Sequence, residues 1–309
     1  MKIDKNNILL QYSLKQKKKE VNKKMENKKT TGVKRNLKSN IVVIAILGVI
    51  IATGMSGCLD GNSNKTLTLT GSTTVLPIAQ DAADAYMAAH SDVDIQISAG
   101  GSSVGIKSIG EGTVDIGMAS REMKDSEKSQ YPNLVPVAIA LDGIAIIVNP
   151  ENNISGLTKE QVKDIYLGQY SNWNELGGPD MEIVIVGRDT ASGTRGSFDE
   201  LVLDKEDPTS SMLQKDSNGA VHDTVKTTPG AIGYVGLGYV DSDVKGVAVN
   251  GITPTQAHVQ DGTYPISRSL WMITQGERTG LAKEFIDYIL SPAGQEIVDR
   301  EGFVKLASS

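Results

Sequence analysis

The sequence has one cysteine, three histidines and only 5% aromatic residues in 309 positions. The lone Cys58 excludes an intramolecular disulfide framework and a cysteine-rich zinc module. His90, His222 and His258 stand at no metal-ligand spacing, so neither a metal nor another cofactor is expected. Long hydrophobic runs are also missing. The apolar stretch from Ile41 to Thr53 falls short of the roughly 20 residues that a membrane span needs. Beyond the N-terminal region basic residues are scarce, since residues 1–40 hold 13 Lys/Arg and three Asp/Glu. That leaves 18 Lys/Arg against 34 Asp/Glu from Cys58 onward, a net of −16. Such a balance argues against nucleic acid or an anionic membrane as the main partner. Hydrophobic residues make up 39%, enough for at least one large core.

The basic N-terminus, the apolar run Ile41–Thr53 and the small residues after it have the order of a secretory signal peptide, spanning 1–57. Met55-Ser56-Gly57-Cys58 resembles a lipobox, in which cleavage precedes a cysteine that carries the lipid. An uncleaved anchor with an incidental cysteine is the alternative. Residues 58–65 then serve as a tether, with Gly61, Asn62, Ser63 and Asn64 as its flexible part. The segment before the apolar run is long, and Met25 is a candidate translation start. These features imply an extracytoplasmic lipoprotein on the outer face of the cell membrane.

From Thr66 short β-rich runs alternate with helical patterns, which predicts an α/β architecture with largely parallel strands. Strands are expected at 67–70, 94–98, 115–119, 135–140, 144–148, 182–187, 232–235 and 247–249. Helices are expected at 77–90, 104–110, 158–166, 197–203, 280–290 and 292–301. Some 245 residues of alternating elements exceed one ordinary domain, so two are expected. Trp173 and Trp271 read as packing residues.

One chemical type recurs three times. Gly71-Ser72-Thr73-Thr74, Gly100-Gly101-Ser102-Ser103 and Thr190-Ala191-Ser192-Gly193-Thr194-Arg195 each stand between a strand and a helix. Helix N-termini carry unpaired N–H donors and partial positive charge, glycine permits close approach, and each hydroxyl adds a neutral donor. Any single loop of this kind can be an ordinary N-cap. Three together can surround a small tetrahedral anion, with Arg188 and Arg195 as fork donors and Asp189 placed to orient a guanidinium.

As an ordered set these loops, with Asp115-Ile116-Gly117-Met118-Ala119-Ser120-Arg121, Gly230-Ala231-Ile232-Gly233-Tyr234 and Tyr264-Pro265-Ile266-Ser267-Arg268, resemble the phosphate-binding proteins of phosphate ABC importers. The resemblance runs from Thr66 to the C-terminus. It implies a two-lobed, type II periplasmic-binding-protein-like α/β fold with a central cleft and two hinge crossings, near 141–143 and 262–264. One lobe would be 66–142 plus 262–309, the other 143–261. It also implies a monomer that is not an enzyme and that delivers inorganic phosphate to ABC permease subunits. The implied anion contacts are Ser72, Thr73, Thr74, Ser102, Ser103, Arg188, Ser192, Gly193 and Thr194.

The sequence departs from the family at one point. Arg121 stands where familiar members have an Asp that accepts the proton of hydrogen phosphate and repels sulfate. A buried acceptor-only carboxylate distinguishes the two anions because it needs a proton to accept. Asp142, near the expected hinge, is the substitute candidate, Glu122 a weaker one, and Arg121 itself is expected to contact the anion. Another tetrahedral oxyanion, or a sensor or adhesin role, stays open. A rival reading takes Gly101-Ser102-Ser103-Val104-Gly105 as the nucleophile elbow of a serine hydrolase, with Ser103 as nucleophile. It needs a histidine with a catalytic surround, and neither His222 nor His258 shows one in the sequence.

Overall fold

The structure, a computed structural model, describes residues 65–307. The signal segment, Met25, Cys58 and the tether through Asn64 therefore lie outside the described residues. Among those described, no helix is long and apolar enough to cross a membrane.

The first half of the chain lays down β1 (Lys65–Gly71), α1 (Leu76–Ala89), β2 (Val93–Ala99), α2 (Ser102–Gly110), β3 (Ile116–Ala119), α3 (Asp125–Gln130) and β4 (Leu134–Val148). Next come β5 (Gly156–Leu157), α4 (Lys159–Tyr166), β6 (Val184–Arg188), α5 (Gly193–Leu201), β7 (Leu213–Lys215), α6 (Asn218–Thr227), β8 (Ala231–Gly236) and β9 (Lys245–Val249). The chain closes with α7 (Gln256–Gln260), β10 (Ser267–Gln275), α8 (Gly280–Leu290) and α9 (Pro292–Arg300). Local chemistry sets many of these boundaries. Thr158 and Gln161 form a reciprocal capping box on α4, and Ser291 caps α9 with Pro292 at its first position.

The strands run in the order β2-β1-β3-β10-β4-β8-β6-β7. Pairing within each half is parallel, as expected for β1 with β2 and β3 and for β6 with β7 and β8. The joining strands are antiparallel, which corrects the largely parallel expectation: β10 runs against β3 and β4, and β4 against β8 and β9. The two strands expected at 135–140 and 144–148 are one continuous strand. From Leu134 to Gly143 it pairs with β10, and from Ile144 to Val148 with β8 and β9. Its second half, Ile144 to Val148, is fully buried, which explains an apolar run without alternation.

Two main cores lie along this shared strand. One gathers Leu67, Leu69, Ile78, Ile139, Phe285, Ile289 and Phe303. The other gathers Ile144, Ile146, Tyr166, Trp173, Phe198, Tyr234, Tyr264 and Ile266. In the second, Phe198 stacks on Tyr234 with ring centroids 4.1 Å apart. The chain is thus a two-lobed α/β structure.

A bulge marks β4. Leu270 pairs with Ala140 but Trp271 with Ala138, so Ile139 has no partner across the ladder. The buried Gln295 of α9 donates its side-chain amide to the Ile139 and Ile289 carbonyls, 3.0 Å each, and accepts from the Leu306 amide at 2.8 Å. Gln295→Leu nearly keeps the volume but leaves these buried groups unpaired, so the melting midpoint should fall by roughly 4–8 °C in calorimetry. Anion affinity should stay unchanged.

Candidate anion-binding cleft

The three glycine-hydroxyl loops converge. The β1–α1 and β2–α2 loops come from the side of the first core, and the β6–α5 loop from the side of the second. Their approach depends on missing side chains. Gly101 has φ +87°, and a Cβ there would stand 2.6 Å from the Ala191 carbonyl oxygen. A Cβ on Gly193 would overlap the Ser102 hydroxyl. With both absent, the Ser103 amide donates to the Ala191 carbonyl across the cleft at 3.1 Å.

Hydroxyls fill the space between the loops. Thr74 and Thr194 share a hydrogen bond of 3.0 Å, and the Ser197 hydroxyl donates to the Ser120 carbonyl at 3.3 Å. The Ser72 hydroxyl accepts from the Thr74 amide, and Ser192 caps α5 by accepting from the Arg195 amide. Each hydroxyl that accepts in this way keeps its own proton to donate. Ser102 accepts from the Ser120 amide at 2.9 Å. Gly193 and Thr194 occupy the first turn of α5, where amides have no acceptor within their own helix.

The arginines divide into two kinds. Arg121, expected on the anion, is engaged elsewhere: both terminal nitrogens contact Glu127 at 2.7 Å, and they also donate to the Glu122 carbonyl and the Ser103 hydroxyl. Arg195 is paired with Asp199 at 2.7 Å and donates to the Arg188 carbonyl, so it supports the loop instead of offering a free fork. Arg188 has no carboxylate partner among the described residues. Its guanidinium rests on the Lys215 and Asp216 carbonyls at 3.2 and 2.8 Å, while Asp189, expected to orient it, caps the turn at Ala191 and Ser192. Arg188 is 1% exposed, and its Nη1 is buried without a partner.

Asp142 is fully buried and both of its oxygens are engaged. Oδ2 accepts from Nε and Nη2 of Arg268 at 2.9 and 2.7 Å, and Oδ1 accepts from the Leu237 amide at 2.9 Å. The proton-accepting role expected of it is not the one these contacts describe. Burial raises the Asp142 carboxyl and lowers the Arg268 guanidinium, each against the pull of the other. Burial also lowers the Arg188 guanidinium. Glu122 makes no side-chain hydrogen bond among the described residues.

Three residues at the site were not anticipated. Arg268 reaches Thr194 and Thr74 through Nη2, at 3.0 and 3.4 Å. Asn218, at the start of α6, donates to the Thr73 and Thr74 hydroxyls at 3.0 and 2.9 Å. The Tyr239 hydroxyl donates to the Thr73 carbonyl at 2.6 Å. Only Arg268 carried a sequence signal, through the Tyr-Pro-Ile-Ser-Arg segment.

The hydrolase arrangement is not assembled. Ser103 has Arg121 as its side-chain partner, whereas His222 bonds Asp241 and Asp223 and His258 bonds the Thr253 carbonyl.

Residues 59–293 match the model of the PBP superfamily domain. The phosphate-binding protein PstS of Bacillus subtilis (strain 168) is 37% identical over 247 residues, which cover 79% of this chain and 82% of that one. The PstS of Borreliella burgdorferi is 31% identical over 85% of this chain and 98% of its own. Among solved structures, a phosphate ABC transporter substrate-binding protein with bound phosphate from Clostridium perfringens is 40% identical with a TM-score of 0.76. It is covered over its whole length, by 79% of this chain. The chain belongs to the PstS family. An ABC-type phosphate transport receptor from Vibrio cholerae, 31% identical over 78% of this chain and all of its own, has a TM-score of 0.66.

In this chain Arg121 is held in an internal ion pair with Glu127. Burial raises the Glu127 carboxyl, but the Arg121 guanidinium and the Lys124 amide outweigh it and hold the group below its ordinary 4.5. A carboxyl lowered by folding stabilises above its ordinary value and loses that contribution as pH falls through the folded value. Glu127→Gln should therefore melt below the parent protein at pH 7, and the gap should narrow progressively below pH 4.5, as followed by thermal scans at a series of pH values.

Proposed function

We propose that the protein captures inorganic phosphate in the cleft between its lobes, outside the cytoplasmic membrane, and hands it to the permease of an ABC importer without chemistry on the ligand. The observation that carries this reading is a charge imbalance. Arg121, Arg195 and Arg268 each face a carboxylate, while among the described residues the buried Arg188 faces carbonyls only. An isolated charge removed from water costs several kcal/mol unless a counter-charge meets it. A small oxyanion held by Arg188, by the hydroxyls of Ser72, Thr73, Thr74, Ser102, Ser103, Ser192 and Thr194, and by the Gly193 amide meets that need. The relatives named for phosphate binding support phosphate as that anion.

The lobes are proposed as 66–142 plus 262–309 and 143–261, moving about the crossings of β4 and the segment before β10. Closure over the anion would present one surface to the permease. A second tetrahedral oxyanion, such as sulfate, is favoured by one observation: Asp142, the buried carboxylate beside the cleft, already accepts from Arg268 and the Leu237 amide. Titration calorimetry with phosphate and with sulfate at matched ionic strength separates the readings. Tight one-to-one phosphate binding is expected, with Arg188→Met weakening it by about 100-fold or more. A variant within threefold of the parent protein would remove Arg188 from the site, and comparable affinities for both anions would favour the second reading.

Anchoring is assigned to a lipid on Cys58, with the protein acting as a monomer at the outer face of the membrane. Cys58→Ala should move the protein from the membrane fraction to the medium or the soluble extracytoplasmic fraction. Retention of the variant in washed membranes would point to an uncleaved anchor.

A further inference from the structure

We infer that Arg268 is a second guanidinium ligand of the anion, and that Asp142 is the positioning residue that aims it. This rests on the phosphate-binding reading and assigns to two residues of that site roles that differ from a proton-accepting Asp142. Arg268 and Asp142 are direct cross-strand partners of β10 and β4. Asp142 stands two residues before β4 exchanges β10 for β8. The pair is therefore rooted in the strands that run between the lobes, and neither of the facing loops carries it.

The donor count of Arg268 leaves a free edge. A guanidinium has five N–H donors in a planar fork. Nε and one proton of Nη2 go to a single oxygen of Asp142, and Nη2 continues to Thr194 and Thr74. Nη1 is buried and unpaired, on a side chain 5% exposed. The edge turned toward the two threonines is thus the one with donors to offer. Arg188 presents the same feature, a buried Nη1 without a partner among the described residues. An oxyanion that met both would accept from each unpartnered Nη1.

The surrounding hydroxyl oxygens already accept. Asn218 donates to Thr73 and Thr74, and Arg268 donates to Thr74 and Thr194. Thr74, accepting from both, spends its own proton on Thr194, so Thr73 and Thr194 are the hydroxyls that retain protons to present to a ligand. Asp142, whose Oδ2 takes Nε and Nη2 of Arg268 and whose Oδ1 takes the Leu237 amide, fixes the fork in its plane, and in this role it does not distinguish a protonated anion from an unprotonated one. Its removal should then weaken phosphate and sulfate alike.

The test compares the parent protein with Arg268→Gln, Arg268→Lys and Asp142→Asn, each titrated with inorganic phosphate and with sulfate near neutral pH and melted without added anion. Arg268→Gln should weaken phosphate by about 30-fold or more while melting cooperatively. Arg268→Lys, which keeps the charge facing Asp142 but lacks the fork, should recover part of the loss. It also decides the question should the glutamine variant not fold, since a ligand role still predicts about a tenfold loss. Asp142→Asn should lower both anions by the same factor. A folded Arg268→Gln that binds phosphate within threefold of the parent overturns the ligand role, and Asp142→Asn that costs phosphate at least tenfold more than sulfate overturns the positioning role. If the parent binds sulfate and not phosphate, the phosphate reading fails, and the same variants titrated with sulfate still decide Arg268.

Discussion

The cleft is organised around a positive charge that cannot be left alone in a dry interior. Four guanidinium groups are buried around it, and three carboxylates, Glu127, Asp199 and Asp142, account for three of them. Arg188 is held only by peptide carbonyls, which orient a guanidinium without neutralising it. Helix N-termini and hydroxyls add partial positive charge and donors to the same space. The result is a cleft lining with a defined sign, inside a protein that is strongly acidic from Cys58 onward. The attraction is therefore local, because the acidic exterior repels anions of every kind.

Such a cleft works only if its walls meet. Gly101 and Gly193 let the loops of the two lobes touch at the backbone, and the Ser103–Ala191, Thr74–Thr194 and Asn218–Thr73 bonds close the remaining gap. Each of these bonds joins segments far apart in sequence. Water exclusion strengthens every donor inside. The same closeness makes the cleft sensitive to any side chain larger than hydrogen at either glycine.

The two lobes share strands instead of being joined by linkers. β4 belongs to both, changing partners after Gly143, and the Asp142–Arg268 pair sits next to that change. A charge contact rooted there reaches the hydroxyls of both facing loops. The bulge at Ile139, stapled by Gln295, lies three residues before Asp142 and helps fix the strand that carries it.

The sequence by itself determined the recurring unit of the site. A strand, a glycine-hydroxyl turn and a helix are specified by consecutive residues, so Gly71–Thr74, Gly100–Ser103 and Thr190–Thr194 were legible as donor loops before any fold was known. Parallel pairing within each half and most helix starts were legible for the same reason, through caps and periodicity. What only the tertiary structure decided was which arginine remains without a carboxylate. Arg121 lost its expected place to Glu127, six residues along the chain, and Arg268 gained one through Asp142, 126 residues before it. Asn218 and Tyr239 entered the cleft in the same way. The continuity of β4 also escaped the pattern, because its Ile144–Val148 half is buried on both faces and loses its alternation, and β10 escaped it because its partly buried start, Ser267–Ser269, carries no apolar alternation. Pairing of charges depends on distance in space, falls off steeply with it and leaves no period in the sequence.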